Sequence, residues 1–285
     1  MAGYSGAVAL LEQSEQWDLS GVTRQGGCLI FPHATLSVCG HHIGAVVRAL
    51  LDSGAGTVFV LGVVHALTPE IRAAREAAAT HRSLEYVPLR GLFGEGFAQT
   101  SADVLRAEFS LSHFEFLWSA ELRRRGIPDS RAPRLILCYP HLVLGQPDTI
   151  PGIEALTKLA ATDCSVACTM DPMHHGTGYG DSQKNAMAIG ASAETAAYAG
   201  ILQGLNLLCK KDYSGYIAHC DKSRSDGRDT GQIAAHLTDP KTARVLDVVL
   251  DDMTGPYQCP APAWVAGALC TLQVQPDKQL AGERV

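Results

Sequence analysis

Apolar residues along this chain fall into short unbroken runs, separated by longer stretches in which they recur at helical spacing. Gly26-Gly27-Cys28-Leu29-Ile30-Phe31 is short, apolar and opened by glycines, which predicts a buried strand. Thr57-Val58-Phe59-Val60-Leu61, preceded by the turn-like Asp52-Ser53-Gly54-Ala55-Gly56, predicts a second one. Gly44 to Leu51 between them has the pattern of a crossover helix. A strand, a helix and a strand in one sheet run parallel, so both strands finish on the edge where open α/β sheets bind ligands. Each run is followed by a histidine, in Phe31-Pro32-His33-Ala34 and in Leu61-Gly62-Val63-Val64-His65. Two histidines delivered from adjacent strand ends predict a metal or acid–base site.

The remaining pattern continues the alternation. Residues 1–25 are mixed and polar, consistent with a short helix over one sheet edge. Thr68-Pro69-Glu70 opens a helix that continues over Ala73 to Ala79, residues 81–100 form a glycine-containing loop, and Val104 to Arg125 is helical in its second half. Arg134 to Tyr139 is a strand ending at Pro140-His141, Ile150 to Ala161 a helix, and Cys164 to Met170 a strand ending in Asp171-Pro172-Met173-His174-His175-Gly176. Ser182 to Cys209 reads as one long alanine-rich helix, and Asp212 to Thr230 as a polar loop. Gln232 to Leu237 is a short helix, and Arg244 to Leu250 and Ala263 to Val274 are the last strands. With no internal repeat or linker, the expectation is one α/β domain over 1–285, its core about 27–274, with a mixed or mostly parallel central sheet flanked by helices.

Composition narrows the partners. The 285 residues are 46% hydrophobic and 18% charged, enough for a sizeable core, and a net charge of −6 excludes a nucleic-acid or anionic-membrane surface as the expected partner. No apolar run approaches membrane-spanning length and no leader pattern is present, so a cytoplasmic protein is expected. Nine cysteines without any CxxC pair predict reduced, mostly buried thiols. A symmetric homodimer is the default for an enzyme of this size.

The candidate chemistry lies in the histidines. A lone histidine after a strand is usually structural. His33, His65 and His174, with His175 adjacent, occupy the same kind of position, and a parallel topology converges them. His141 is followed by Leu-Val-Leu and reads as packing. Two histidines plus one carboxylate leave three open positions on a six-coordinate iron. Cys220, Asp221 and Asp226 are the candidates for the third, anionic ligand.

These residues carry a family resemblance. Pro32-His33-Ala34 with Cys39-Gly40, Leu61-Gly62 followed by His65, and Asp171-Pro-Met-His174-His-Gly176 resemble the three histidine motifs of the Memo family. That family shares a fold with the class III extradiol dioxygenases of the protocatechuate 4,5-dioxygenase type. Trp264-Val265-Ala266-Gly267-Ala268-Leu269 is similar to the Memo closing strand, and the resemblance runs from about residue 27 to 274. It implies a metal held by the first two histidines and a later anionic residue, a cysteine in Memo and a glutamate in the dioxygenases. The Memo cysteine sits in a Cys-Gly-Arg run before a helix, which Asp226-Gly227-Arg228 matches here; Cys220, beside His219, is the rival. The family's Glu-His-Ser-Ile-Glu-Met-His segment survives loosely as Phe109-Ser110-Leu111-Ser112-His113-Phe114-Glu115, and the second motif lacks its paired histidines.

The resemblance implies a ring-cleaving, non-haem Fe(II) dioxygenase acting on a catechol or 2-aminophenol, with dioxygen as co-substrate. His33, His65 and Asp226 would hold the iron, and His174 would take and later return the substrate proton. His175 and Asp171 would orient His174 or line the pocket. His113, Glu115, Tyr179 and Arg228 are substrate-contact candidates, as are the rings of Phe93, Phe97, Phe114 and Trp118 and the charge of Arg90. The alternatives are a Memo-like metal-binding protein, holding copper or iron without turnover, and a zinc-dependent hydrolase. Gly176-Thr-Gly178-Tyr-Gly180 lacks the spacing of a dinucleotide fingerprint.

Overall fold

In the computed structural model, residues 3–65, 108–140, 147–149 and 153–274 are described. The N-terminal segment forms helix α1 (Tyr4–Gln13), a 3-10 turn and helix α2 (Ser20–Arg24), where one short helix was expected. Strand β1 (Cys28–Phe31), helix α3 (Leu36–Asp52) and strand β2 (Thr57–Leu61) follow, so the crossover helix starts eight residues before Gly44. Next come helix α4 (Ser112–Arg125), strand β3 (Arg134–Cys138), helix α5 (Ile153–Ala160), and strands β4 (Cys164–Thr169) and β5 (Met173–Gly176). Helices α6 (Ala191–Cys209), α7 (Tyr213–Ser223) and α8 (Arg228–Thr238) precede strands β6 (Thr242–Asp252) and β7 (Ala263–Gln273). The readings for 66–107 and for His141 lie outside the described residues.

The sheet runs β3-β2-β4-β1-β7-β5, with β6 also on β7; the first four strands are mutually parallel, and β7 is antiparallel to β1, β5 and β6. Strands β1 and β2 are therefore not neighbours: β4 lies between them. The parallel strands are buried on both faces, which is why they read as continuous apolar runs. Ile30, Phe59 and Leu61 pack into a core with α5, α6, α7 and α8, while Leu29, Phe31, Val58 and Val60 pack into a second core with α1, α3 and α4. The result is a three-layer α/β arrangement. Among the described residues no helix is long and apolar enough to cross a membrane. All nine cysteines are free thiols, six of them buried.

Three further expectations are corrected. The helix predicted from Ser182 begins at Ala191, because the preceding segment is captured by side chains: His175 Nε2 accepts the Met187 N–H at 2.9 Å, and Trp264 Nε1 donates to the Met187 carbonyl at 2.8 Å. The expected loop 212–230 is mostly helix. Asp212 caps α7 by accepting the Gly215 N–H at 2.9 Å, and the helix buries only Tyr216, Cys220 and Ser223, a stripe too sparse to register as periodic. Met173-His174-His175-Gly176 is a strand rather than a strand end.

The long edge of β7 explains that strand. Strand β6 pairs along its whole length, so β1 and β5 share the other edge end to end, at 270–272 and 263–266 respectively. The chain leaves β1 at Pro32-His33 beside Gly267, where a Cβ would stand 2.8 Å from Pro32 Cβ. His33 and His174 are thereby brought to one place by a strand that neither belongs to.

Candidate metal centre

Strand β1 ends two residues before His33, whose ring is held from behind. Its Nδ1 lies 2.8 Å from Thr169 Oγ1 at the end of β4, and its backbone N–H donates to Asp171 Oδ1 at 3.2 Å. His65 follows β2 across Gly62, where no side chain fits: a Cβ would meet the Tyr139 ring at 2.5 Å. Glu108 fixes His65 through both oxygens. Oε1 lies 3.2 Å from His65 Nδ1, and Oε2 accepts the His65 backbone N–H. Asp226 sits in the short link between α7 and α8. Arg224 ends α7 in the left-handed region, and Gly227 lets the link pass the end of β4, where a Cβ would lie 2.4 Å from Met170 Cβ. Asp226 Oδ1 accepts the Asp171 N–H at 2.8 Å, which turns Oδ2 toward the histidines.

Three donor atoms thus converge. His33 Nε2 and His65 Nε2 are 3.1 Å apart, and Asp226 Oδ2 lies 3.1 Å from the first and 3.3 Å from the second. Nitrogen and oxygen ligands about 2.1 Å from a divalent ion, at angles between octahedral and tetrahedral, lie roughly 3.0–3.4 Å apart. The triangle fits that spacing. The second sphere fits as well: with Nδ1–H of His65 donated to an ionised carboxylate, the neutral ring turns its Nε2 lone pair to the centre. The three residues form a group that could hold a metal ion; Asp171, His174 and Asp226 form another that shares Asp226.

The electrostatics favour a cation at this point. Burial opposes charge on His33, but the Asp171 and Asp226 carboxylates outweigh it and hold its pKa above the ordinary value. Burial opposes charge on His65 too, yet its hydrogen bonds to Asp226 and Glu108 lift its pKa to about 10. Asp226 would be raised by burial, but the charge and hydrogen bond of His33 and the bond from His65 hold it far below the carboxylate range. Glu108, likewise opposed by burial, is pulled down to about 2 by His65 and the backbone N–H groups of Ser110 and His65. Burial and the neighbouring Asp226 raise Asp171, against the pull of His33. Bound metal would replace the protons that these acids otherwise hold on the imidazoles.

A cleft of about 240 Å³ opens onto the triangle, walled by Phe109, His113, Asp171, His174, Met253 and Tyr257 among others. Phe109 stacks on His65 with centroids 4.7 Å apart and planes 16° apart, and both Phe109 and Tyr257 are exposed at the mouth. A second cleft, lined by Gly62, Pro140, Asp221 and Arg228, also reaches His65 and Asp226.

Of the residues named from sequence, His33, His65, Asp226, Asp171, His174 and His113 meet here. Cys220 does not: its thiol is buried in the core, which pushes its pKa up to about 12. Asp221 is exposed on α7 at the rim of the second cleft. His175 is turned away, because neighbours on a strand alternate; Asp181 Oδ2 is 3.0 Å from its Nδ1 and Trp264 packs on its ring. Tyr179 meets the His174 ring edge-on at 5.1 Å but does not line the cleft. Arg228 is paired with Asp229 at 3.0 Å in the second cleft, and Glu115 lines neither cleft. Phe114 and Trp118 are core, stacked behind Phe31. Phe93, Phe97 and Arg90 lie outside the described residues. Glu108, Thr169, Phe109 and Tyr257 were not anticipated as site residues; the signal for Glu108 was its place just ahead of the Phe109–Glu115 segment.

Fold and site together define an α/β protein with a two-histidine, one-carboxylate group suited to a metal ion. No family model and no curated protein matches this chain.

Proposed function

We propose that the chain is a non-haem Fe(II) dioxygenase of the extradiol type, opening the ring of a catechol- or 2-aminophenol-like aromatic. The observation that carries this reading is the triangle of His33 Nε2, His65 Nε2 and Asp226 Oδ2 at 3.1–3.3 Å, with His174 and an aromatic-walled cleft on its open side. A carboxylate third ligand suits iron better than a buried thiol would, and leaves one face of an octahedron open. The motif resemblance to the Memo and class III extradiol proteins points the same way, and nine free thiols suit a reducing environment.

A bound ferrous ion, held by His33, His65 and Asp226, would supply open positions for substrate and dioxygen and a path for electrons from the aromatic substrate to the oxygen. The chain's residues would do the rest. Thr169 and Glu108 fix the rings of His33 and His65, and Asp171 anchors the His33 backbone while orienting Asp226 through its own N–H. Phe109 and Tyr257 would flank a planar ring at the mouth and exclude water from it. His174, which lines the cleft beside Asp171 and Asp226, would accept the substrate hydroxyl proton and return it during ring opening.

The test is oxygen uptake by anaerobically purified, iron-reconstituted protein with a panel of catechols and 2-aminophenols. The wild-type chain is expected to consume oxygen in proportion to substrate, and His33→Ala to consume none. Uptake that persists unchanged in His33→Ala overturns the reading. Tight zinc without uptake would move it to a hydrolase.

A further inference from the structure

We propose that His41, His42 and Asp247 form a second cation site, separate from the centre above and open to water, for a divalent transition metal of the zinc class. The two histidines occupy the second turn of α3, and the aspartate lies on β6. Asp247 Oδ2 is 3.0 Å from His42 Nε2 and 3.9 Å from His41 Nε2, and one ligand atom from each of the three lies within 4.8 Å of the others.

The local architecture is built toward that convergence. Consecutive helix positions project about 100° apart, so neighbouring side chains normally diverge. Here the two imidazoles turn together, with centroids 4.2 Å apart. Trp17 holds both of them, stacking on His41 at 5.7 Å and meeting His42 edge-on at 5.6 Å. The strand contributes a matching irregularity. A register shift between Val245 and Asp247 puts one extra residue into β6 against β7. Val245 and Val248 belong to the core on one face of the sheet and Leu246 to the core on the other, so the bulge lets Leu246 and Asp247 both face α3. Without it Asp247 would point to the opposite side.

The donor set selects the ligand. Two imidazoles and one carboxylate suit zinc or copper(II) far better than calcium or magnesium, which prefer all-oxygen cages. His42 is fully buried, whereas the Asp247 side chain is 41% exposed and that of His41 18%, leaving room for water to complete a tetrahedral shell. The site would tie α3, which begins three residues after His33, to strand β6 beside β7.

The experiment is zinc titration of the full chain, with bound ion counted after dialysis. Wild type is expected to hold two zinc ions; Asp247→Asn and His41→Gln are each expected to hold one, as is His65→Ala, which removes the other centre. In Asp247→Asn/His65→Ala no ion should remain. Both second-site variants sit at partly exposed positions, so one serves if the other fails to fold. Quenching by copper(II) of the emission lost in Trp17→Phe reads the same site optically. Wild type holding a single ion that survives in Asp247→Asn and His41→Gln overturns the proposal. A single ion lost in those variants but kept in His65→Ala would instead support it and remove the centre proposed for catalysis.

Discussion

Glu108→Gln tests whether His65 is a positioned ligand or a chance neighbour. The carboxylate accepts four N–H groups: the backbone N–H and Nδ1 of His65, and the backbone N–H groups of Phe109 and Ser110, the last two at 2.8 Å. An ionised carboxylate can do this because it has acceptors on both oxygens; an amide has them on one. With its oxygen kept toward Nδ1, Phe109 and Ser110, the glutamine turns an NH2 group onto the His65 N–H. One charge-assisted bond is lost and two donors oppose each other, about 1.5–3 kcal/mol of metal-free stability. Nδ1 keeps a neutral amide oxygen in place of the carboxylate, and mutating the orienting partner behind a ligating histidine costs about 10- to 100-fold in metal affinity, or ~1.4–2.7 kcal/mol. Thermal unfolding of the metal-free chain measures the first, and competition against a chelator of known affinity the second. Affinity within about twofold of wild type, in a variant that folds, would refute the ligand assignment of His65.

The same pair sets a pH dependence with opposite limbs. Glu108, depressed to about 2, contributes stability that is present above the unfolded carboxylate value of about 4.3 and lost as pH falls through that window. His65, raised to about 10, contributes stability present below about 6.5 and lost as pH rises toward 10 in the metal-free chain. Metal binding runs the other way on the alkaline limb, strengthening as the imidazole gives up its proton, and proton release on loading should be measurable in weakly buffered solution. Gly227→Ala drives a methyl into Met170 and should cost about 1–3 kcal/mol with weakened metal binding, read by unfolding and by competition. His174→Gln should keep the metal and lower turnover by about 10²- to 10⁴-fold; unchanged turnover would remove it from proton transfer. Glu121, fully buried and bonded to Arg124 and Arg125 at the end of α4, is held below its ordinary pKa by those bonds against the cost of burial. That stability is present above about 4.3 and lost in acid, so Glu121→Gln should lower the unfolding midpoint at pH 7 and flatten its fall below pH 5.

Much of the layered fold was legible because its signals are local. A strand buried on both faces must be a continuous apolar run, and Thr57–Leu61 was delimited to the residue by that run and the turn-like residues before it. The glycines that open β1 and the histidines after β1 and β2 were legible for the same reason, as was the helix ending at Arg125. The third ligand was not. Cys220, Asp221 and Asp226 lie within seven residues, and helix phase separates them: Cys220 faces the core, Asp221 faces water, and Asp226 comes after the left-handed turn at Arg224. A window that hides its helix behind three buried positions gives no phase to read.

What the sequence by itself determined was the set of chemically capable residues and the elements that carry them. Tertiary structure alone decided which of those residues share a point in space. His33 and His174 meet because β1 and β5 divide one edge of β7, and His65 is aimed by Glu108 from 43 residues away. Strand order and register are set by pairing between distant segments, and no periodicity within either segment records its partner.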